Sequence, residues 1–119
     1  MKKLIILFFI LCSSFSTIIA KTYIRKGANK NGQIMYYYDS TSKFVREGQT
    51  SYSSIIYYVD NNRIRIGLTH RGPIKYNVDK NFIRRGDTKY GEILYNIDGN
   101  YIRKGPNKNG KIIFNITSY

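Results

Sequence analysis

The chain has 119 residues, a formal net charge of +13, twelve tyrosines, no tryptophan and one cysteine. Its length suits one modest domain, and a lone cysteine excludes an internal disulfide or a cysteine-built zinc site. Such a basic chain favours anionic partners (envelope glycopolymers, lipid head groups or nucleic acid), or else it carries a solvated surface kept soluble by its charge.

Residues 1–20 have the three-part layout of a secretory signal peptide. Lys2 and Lys3 form a positive start, Leu4 to Leu11 an apolar run, and small and polar residues lead to Ala20. The run is shorter than the about 20 residues that span a bilayer. Leu11 is bulky where a lipid-attachment motif ahead of Cys12 wants a small residue. Cleavage after Ala20 would remove Cys12, Lys2 and Lys3, leaving 99 residues and a net charge of +11. The expected location is therefore secreted, periplasmic or on the cell envelope, with no membrane span after cleavage.

Residues 21–119 read as one domain of five tandem units beginning at Tyr23, Phe44, Arg63, Phe82 and Tyr101. The spacings are 21, 19, 19 and 19, and the extra pair falls in the Ser-Thr-Ser-Lys stretch before Phe44. Each unit runs aromatic, Ile or Val, Arg, any residue, Gly, four variable residues, usually Gly, then a strand-like run usually ending in Asp. Arg63, Ser53 and Thr117 are the departures from the first position, the second glycine and the Asp.

Each unit carries a short strand, such as Tyr101 to Lys104, and a longer one with period-two alternation: Ile34, Tyr36, Tyr38 and their equivalents. That stripe is the expected buried face. Asp-Gly-Asn-Tyr at 98–101 and its counterparts suit two-residue hairpin turns. Such a turn sets Ile97 opposite Ile102 and brings Arg103 diagonal to Asp98 on the other face. The predicted fold is all-β: five β-hairpin repeats of about 19 residues, giving about ten short antiparallel strands. Closure into a ring, barrel or propeller-like body is favoured over an open hairpin solenoid, because the first and last units are nearly identical and open stacks have atypical ends.

The arginine row, Arg25, Arg46, Arg65, Arg84 and Arg103, is the most distinctive candidate site. Guanidinium groups grip phosphate and carboxylate bidentately, so the row reads either as a multivalent anion site or as an Arg–Asp ladder that orders the sheet. Formal charges of the five units are +4, −1, +4, 0 and +4. Closure would join the first and last, merging Lys26, Lys30, Arg103, Lys104, Lys108 and Lys111 into one basic region. Tyr23, Tyr37, Tyr58 and Tyr101 fall on the face opposite the core stripe, able to stack on sugars or bases, or to form ordinary cross-strand pairs.

The stretch ILYNIDGNYIRKG resembles repeats of small exported bacterial proteins with Tyr-x-Ile-Asp-Gly-x-x-Ile-Arg-x-Gly signatures. The resemblance spans all five units and implies a repeat architecture and export. A looser likeness extends to choline-binding and other cell-wall-binding hairpin repeats, whose ligand cages are built from the Trp that this chain lacks. No reaction is legible. His70 stands alone in a variable loop, and nothing brings Glu47 and Glu92 together as the paired carboxylates of a glycosidase. The reading is of a non-catalytic binding module, without a cofactor, that contacts anionic envelope or extracellular polymers through a basic face. Export leaves nucleic acid a secondary role. The competing class is a structural, self-assembling or protein-interaction repeat protein.

Overall fold

The computed structural model of the chain describes residues 21–118, so the signal-peptide expectation lies outside the described residues. Ten strands follow one another: β1 (Lys21–Lys26), β2 (Ile34–Asp39), β3 (Phe44–Glu47), β4 (Ser54–Asp60), β5 (Arg63–Ile66), β6 (Ile74–Asp79), β7 (Phe82–Arg85), β8 (Ile93–Asp98), β9 (Tyr101–Lys104) and β10 (Ile112–Ser118). Every neighbour is antiparallel, and β10 pairs with β1, closing the sheet into a barrel with no free edge. The closing register, Ile24 opposite Ile116, repeats that of Ile102 opposite Ile97 between the fourth and fifth units.

The short strands place one branched side chain each in the interior. Ile24, Val45, Ile64, Ile83 and Ile102 are at most 1 % exposed. Each lies between Val59, Val78, Ile97, Ile116 or Tyr38 of the preceding unit and Tyr36, Tyr57, Tyr76, Tyr95 or Phe114 of its own. Burial of a side chain of this size contributes about 1.5–3 kcal/mol, and fivefold repetition fills the bore.

One sequence expectation is corrected here. Ile34, Ile55, Ile74, Ile93 and Ile112 do not continue the buried stripe. They sit opposite the arginines of the short strands, because a β-bulge in every unit adds one residue to the long strand. The bulge inverts the alternation, so Met35, Ile56, Leu94 and Ile113 pack against the core instead. Each bulge carbonyl accepts the N–H of the next unit's first glycine, as in Gly105 to Leu94 (2.8 Å) and, across the closure, Gly27 to Ile113 (2.8 Å).

The connections fall at opposite ends. Two-residue turns join successive units, with Asn61, Lys80 and Gly99 in the left-handed region. The four-residue turn after Asp39 moves that conformation to Lys43. The longer loops within units curl onto the outside of the barrel. Their second glycines permit a close crossing: a Cβ on Gly110 would sit 2.1 Å from the Lys104 carbonyl oxygen.

Two glycines therefore differ in kind. Gly99→Ala meets no neighbour and costs about 1 kcal/mol of left-handed strain, whereas Gly110→Ala drives Cβ into backbone and costs about 2–3 kcal/mol or more. Lys80→Gly, relieved of the same strain, is expected to be neutral or stabilising by a few tenths of a kcal/mol. Urea unfolding of the three variants checks this order.

Candidate functional site

Each arginine of the row follows its strand's inward Ile or Val and points to the outer side. There its Nη1 donates to a carbonyl seven residues on: Arg25 to Gly32 (2.9 Å), Arg46 to Ser53 (2.8 Å), Arg65 to Gly72 (2.8 Å), Arg84 to Gly91 (2.9 Å) and Arg103 to Gly110 (3.0 Å). The row thus holds every loop in its curled position. Three of these arginines also meet the Asp before their turn: Arg65–Asp60 (3.1 Å), Arg84–Asp79 (3.4 Å) and Arg103–Asp98 (3.0 Å). Thr117 stands in for Asp at the closure and accepts from Arg25 Nε at 3.3 Å. Asp39 instead accepts from the Thr41 N–H of its own longer turn (2.9 Å).

The aromatic at the head of the unit lies beneath the guanidinium. Arg25 stands over Tyr23, Arg46 over Phe44, Arg84 over Phe82 and Arg103 over Tyr101, at 5.7–5.9 Å. Tyr37 is 4 % exposed and packs on Tyr23 at 5.5 Å between ring centres, while Tyr58 is half-buried against Phe44 at 6.1 Å. Of the four outer tyrosines, Tyr101 presents most surface, 37 %.

Sequence reasoning missed three asparagines. Asn77, Asn96 and Asn115 are buried, and each Nδ2 donates to two carbonyls in the next unit's loop. Asn96 reaches Gly105 and Asn107 (2.8 and 2.9 Å), Asn77 reaches Gly86 and Thr88 (2.8 and 3.0 Å), and Asn115 crosses the closure to Gly27 and Asn29 (2.8 and 3.0 Å). The signal was there: Asn, a poor strand former, recurs at one strand position in three units.

Between each turn and the next unit's loop the outer surface forms a groove. One, of about 330 Å³, is lined by Asn62, Arg63, Asn77, Asp79, Asp87 and Lys89, and Arg63 bridges it to Asp87 at 3.0 Å. Its counterpart at the closure between the fifth and first units measures about 610 Å³. There Tyr101 and Ala28 stand at the positions of Arg63 and Asp87, and among the described residues no ion pair spans it; Asn29, Lys30, Asp98, Asn100, Arg103 and Thr117 also line it.

The mouth at the loop end is different. Lys26, Met35, Tyr95, Lys111, Ile113 and Phe114 line a cleft of about 400 Å³, and Lys75, Tyr76, Arg85, Leu94 and Tyr95 one of about 370 Å³. Lys104 sits opposite Tyr95 between them. The six basic residues expected to merge at the closure are therefore divided between two sides of the sheet: Lys30 and Arg103 line the outer groove, Lys26 and Lys111 the mouth. Burial pushes the hydroxyl pKa values of Tyr36, Tyr57, Tyr76 and Tyr95 up; neighbouring phenols add to this for Tyr36 and Tyr76, whereas a hydrogen bond with Tyr76 offsets part of it for Tyr57. Among the described residues no three His, Cys, Asp or Glu side chains converge to hold a metal ion, and His70 is exposed.

Residues 24–119 match the family described as 6-fold beta flower protein. The chain belongs to that family. The described residues of this member close with five two-stranded units. No curated protein and no solved structure matches the chain.

Arg84→Gln and Arg103→Gln each remove a charged hydrogen bond to a loop and an ion pair, and should lower unfolding free energy by about 1.5–3 kcal/mol in denaturant titrations. Tyr36, Tyr38, Tyr57, Tyr76 and Tyr95 keep their protons more tightly when folded. Their contribution is complete below the unfolded phenol value of about 10 and is lost as pH rises beyond it. The urea midpoint should stay level between neutral pH and about 9, then fall, with tyrosinate absorbance rising alongside unfolding.

Proposed function

We propose that this beta flower chain is an exported, non-catalytic binding module that contacts anionic envelope or extracellular polymers through its lysines. The observation that carries the reading is the division of labour between the two cation types. Among the described residues every ion pair is made by an arginine, Arg63, Arg65, Arg84, Arg85 or Arg103, and none by a lysine. Lys26, Lys75, Lys104 and Lys111 stand exposed around the mouth, while Lys30 and Lys108 lie exposed on the loops. Unpaired, hydrated ammonium groups are the charges a polyanion can recruit without breaking the fold. The arginine row, the first candidate in the sequence, contributes by holding the loops in place: those clamped by Arg25, Arg84 and Arg103 carry Lys30, Lys89 and Lys108, and those clamped by Arg46 and Arg65 carry no lysine.

Retention on immobilised anionic glycopolymers tests this. The purified protein should be held at low salt and released by about 0.5 M salt, where the screening length shrinks to a few ångströms. Lys26→Gln, Lys104→Gln and Lys111→Gln together should lower the salt needed for release while leaving the unfolding midpoint unchanged. Retention unaffected by salt or by these changes would refute the reading.

A second reading, a structural or protein-interaction role, draws support from Tyr52 and Tyr90, which stand 94 % and 85 % exposed on two loops. Self-association that resists salt and disappears in Tyr52→Ser with Tyr90→Ser would favour it.

A further inference from the structure

We infer that the groove at the closure is a binding site for one acidic sugar residue, a uronic acid, within the polymer. This rests on the proposed polymer-binding reading and names the place where that polymer would be recognised individually rather than by charge alone. The chain's near-symmetry supplies a filled counterpart for comparison. The equivalent groove at the third and fourth units is spanned by Arg63 and Asp87, whose charges satisfy each other across it at 3.0 Å. At the closure the same two positions hold Tyr101 and Ala28, and the groove opens from about 330 to about 610 Å³, within the range of small-ligand sites.

What lines the opened groove suits a charged pyranose. Tyr101 is 37 % exposed, with the Arg103 guanidinium 5.7 Å from its ring centre. Its electron-rich ring suits the weakly positive C–H face of a sugar. Asp98 gives Oδ2 to Arg103 and remains part-exposed, an acceptor for sugar hydroxyls. Asn29 spends its Oδ1 on the Asn31 N–H, which leaves its amide donors for ring or hydroxyl oxygens. Lys30, exposed and outside any ion pair, supplies the charge for the carboxylate. Asn115 ties the loop that carries Asn29 and Lys30 to β10, so both walls are held before the ligand arrives.

The symmetry also supplies the test. The double change A28D/Y101R writes the Arg63–Asp87 pair into the closure groove without altering net charge, so long-range attraction to a polyanion is preserved. The probe is a galacturonic acid trisaccharide, with its uncharged galactose counterpart as control, followed by amide NMR and calorimetry. The wild type should bind the acidic trisaccharide alone, with shifts at Asn29, Lys30 and Tyr101. A28D/Y101R should lose at least about tenfold in affinity, and Lys30→Gln should lose the preference for the acid. The converse change, R63Y/D87A, opens the other groove and should raise the stoichiometry from one towards two; it also serves if A28D/Y101R fails to fold. Equal affinity in wild type and A28D/Y101R, shifts confined to the mouth, or no binding by the wild type would each overturn the inference. If the wild type ignores the trisaccharide but still shows salt-sensitive retention on the polymer, the groove assignment falls alone; if retention is absent too, both fall.

Discussion

A guanidinium that reaches seven residues along its own chain governs this molecule. Each unit would otherwise leave a loop of about seven residues loose at the end of a four-residue strand. The arginine bond to the loop carbonyl, at 2.8–3.0 Å in all five units, folds that loop back along the outer wall. In four units a second glycine suits this geometry, because the returning chain crosses the backbone too closely for a Cβ, while the second unit makes the same bond with Ser53 at that position. It also uses an aromatic shelf beneath the guanidinium and, in three units, a carboxylate beside it. The motif aromatic-Ile-Arg-x-Gly thus describes a clamp, repeated because each loop needs one.

Curling the loops outward has consequences at both surfaces. It leaves the loop-end mouth of the barrel uncovered, so Tyr76, Tyr95 and Phe114 approach solvent between lysines. It also makes grooves on the outside, between each turn and the next unit's loop. Closure makes these features continuous around the body, since the Asn115 and Gly27 bonds repeat across the first and fifth units what Asn96 and Gly105 do between the fourth and fifth. Departures from fivefold repetition then stand out against an internal reference. Phe114 replaces a tyrosine in the mouth, Lys75 replaces an apolar bulge residue, and Arg63 with Asp87 puts an ion pair where the other junctions have an aromatic and an uncharged residue.

Much of the fold was legible in the residues. The unit boundaries, the two-residue turns, the Ile97–Ile102 pairing and the Arg103–Asp98 contact all follow from repeat spacing and hairpin register. The bulge was not legible. It slips register by a single residue inside an unbroken apolar run, where Ile34 and Met35 are equally suited to burial, so alternation alone assigns the wrong one to the core. The use of the arginines was half legible: Asp98 could be seen across the turn, but the Gly110 carbonyl becomes a partner only once the loop curls. Asn77, Asn96 and Asn115 were passed over for the same reason, because their partners lie in loops of a neighbouring unit. The difference between the closure groove and its counterpart needs the ring itself, since Tyr101 and Ala28 are 73 positions apart in the chain.

All of this depends on the ring being closed and held with equal firmness at every junction. Amide hydrogen exchange in the folded protein reads that directly. The Gly27 N–H bonds across the closure to Ile113, as those of Gly86 and Gly105 bond to Lys75 and Leu94 within the array. A closed ring predicts protection at Gly27 within about tenfold of Gly86 and Gly105. Exchange at Gly27 at the rate of an unprotected amide, with Gly86 and Gly105 still slow, would mean an open array of hairpins and would contradict the account.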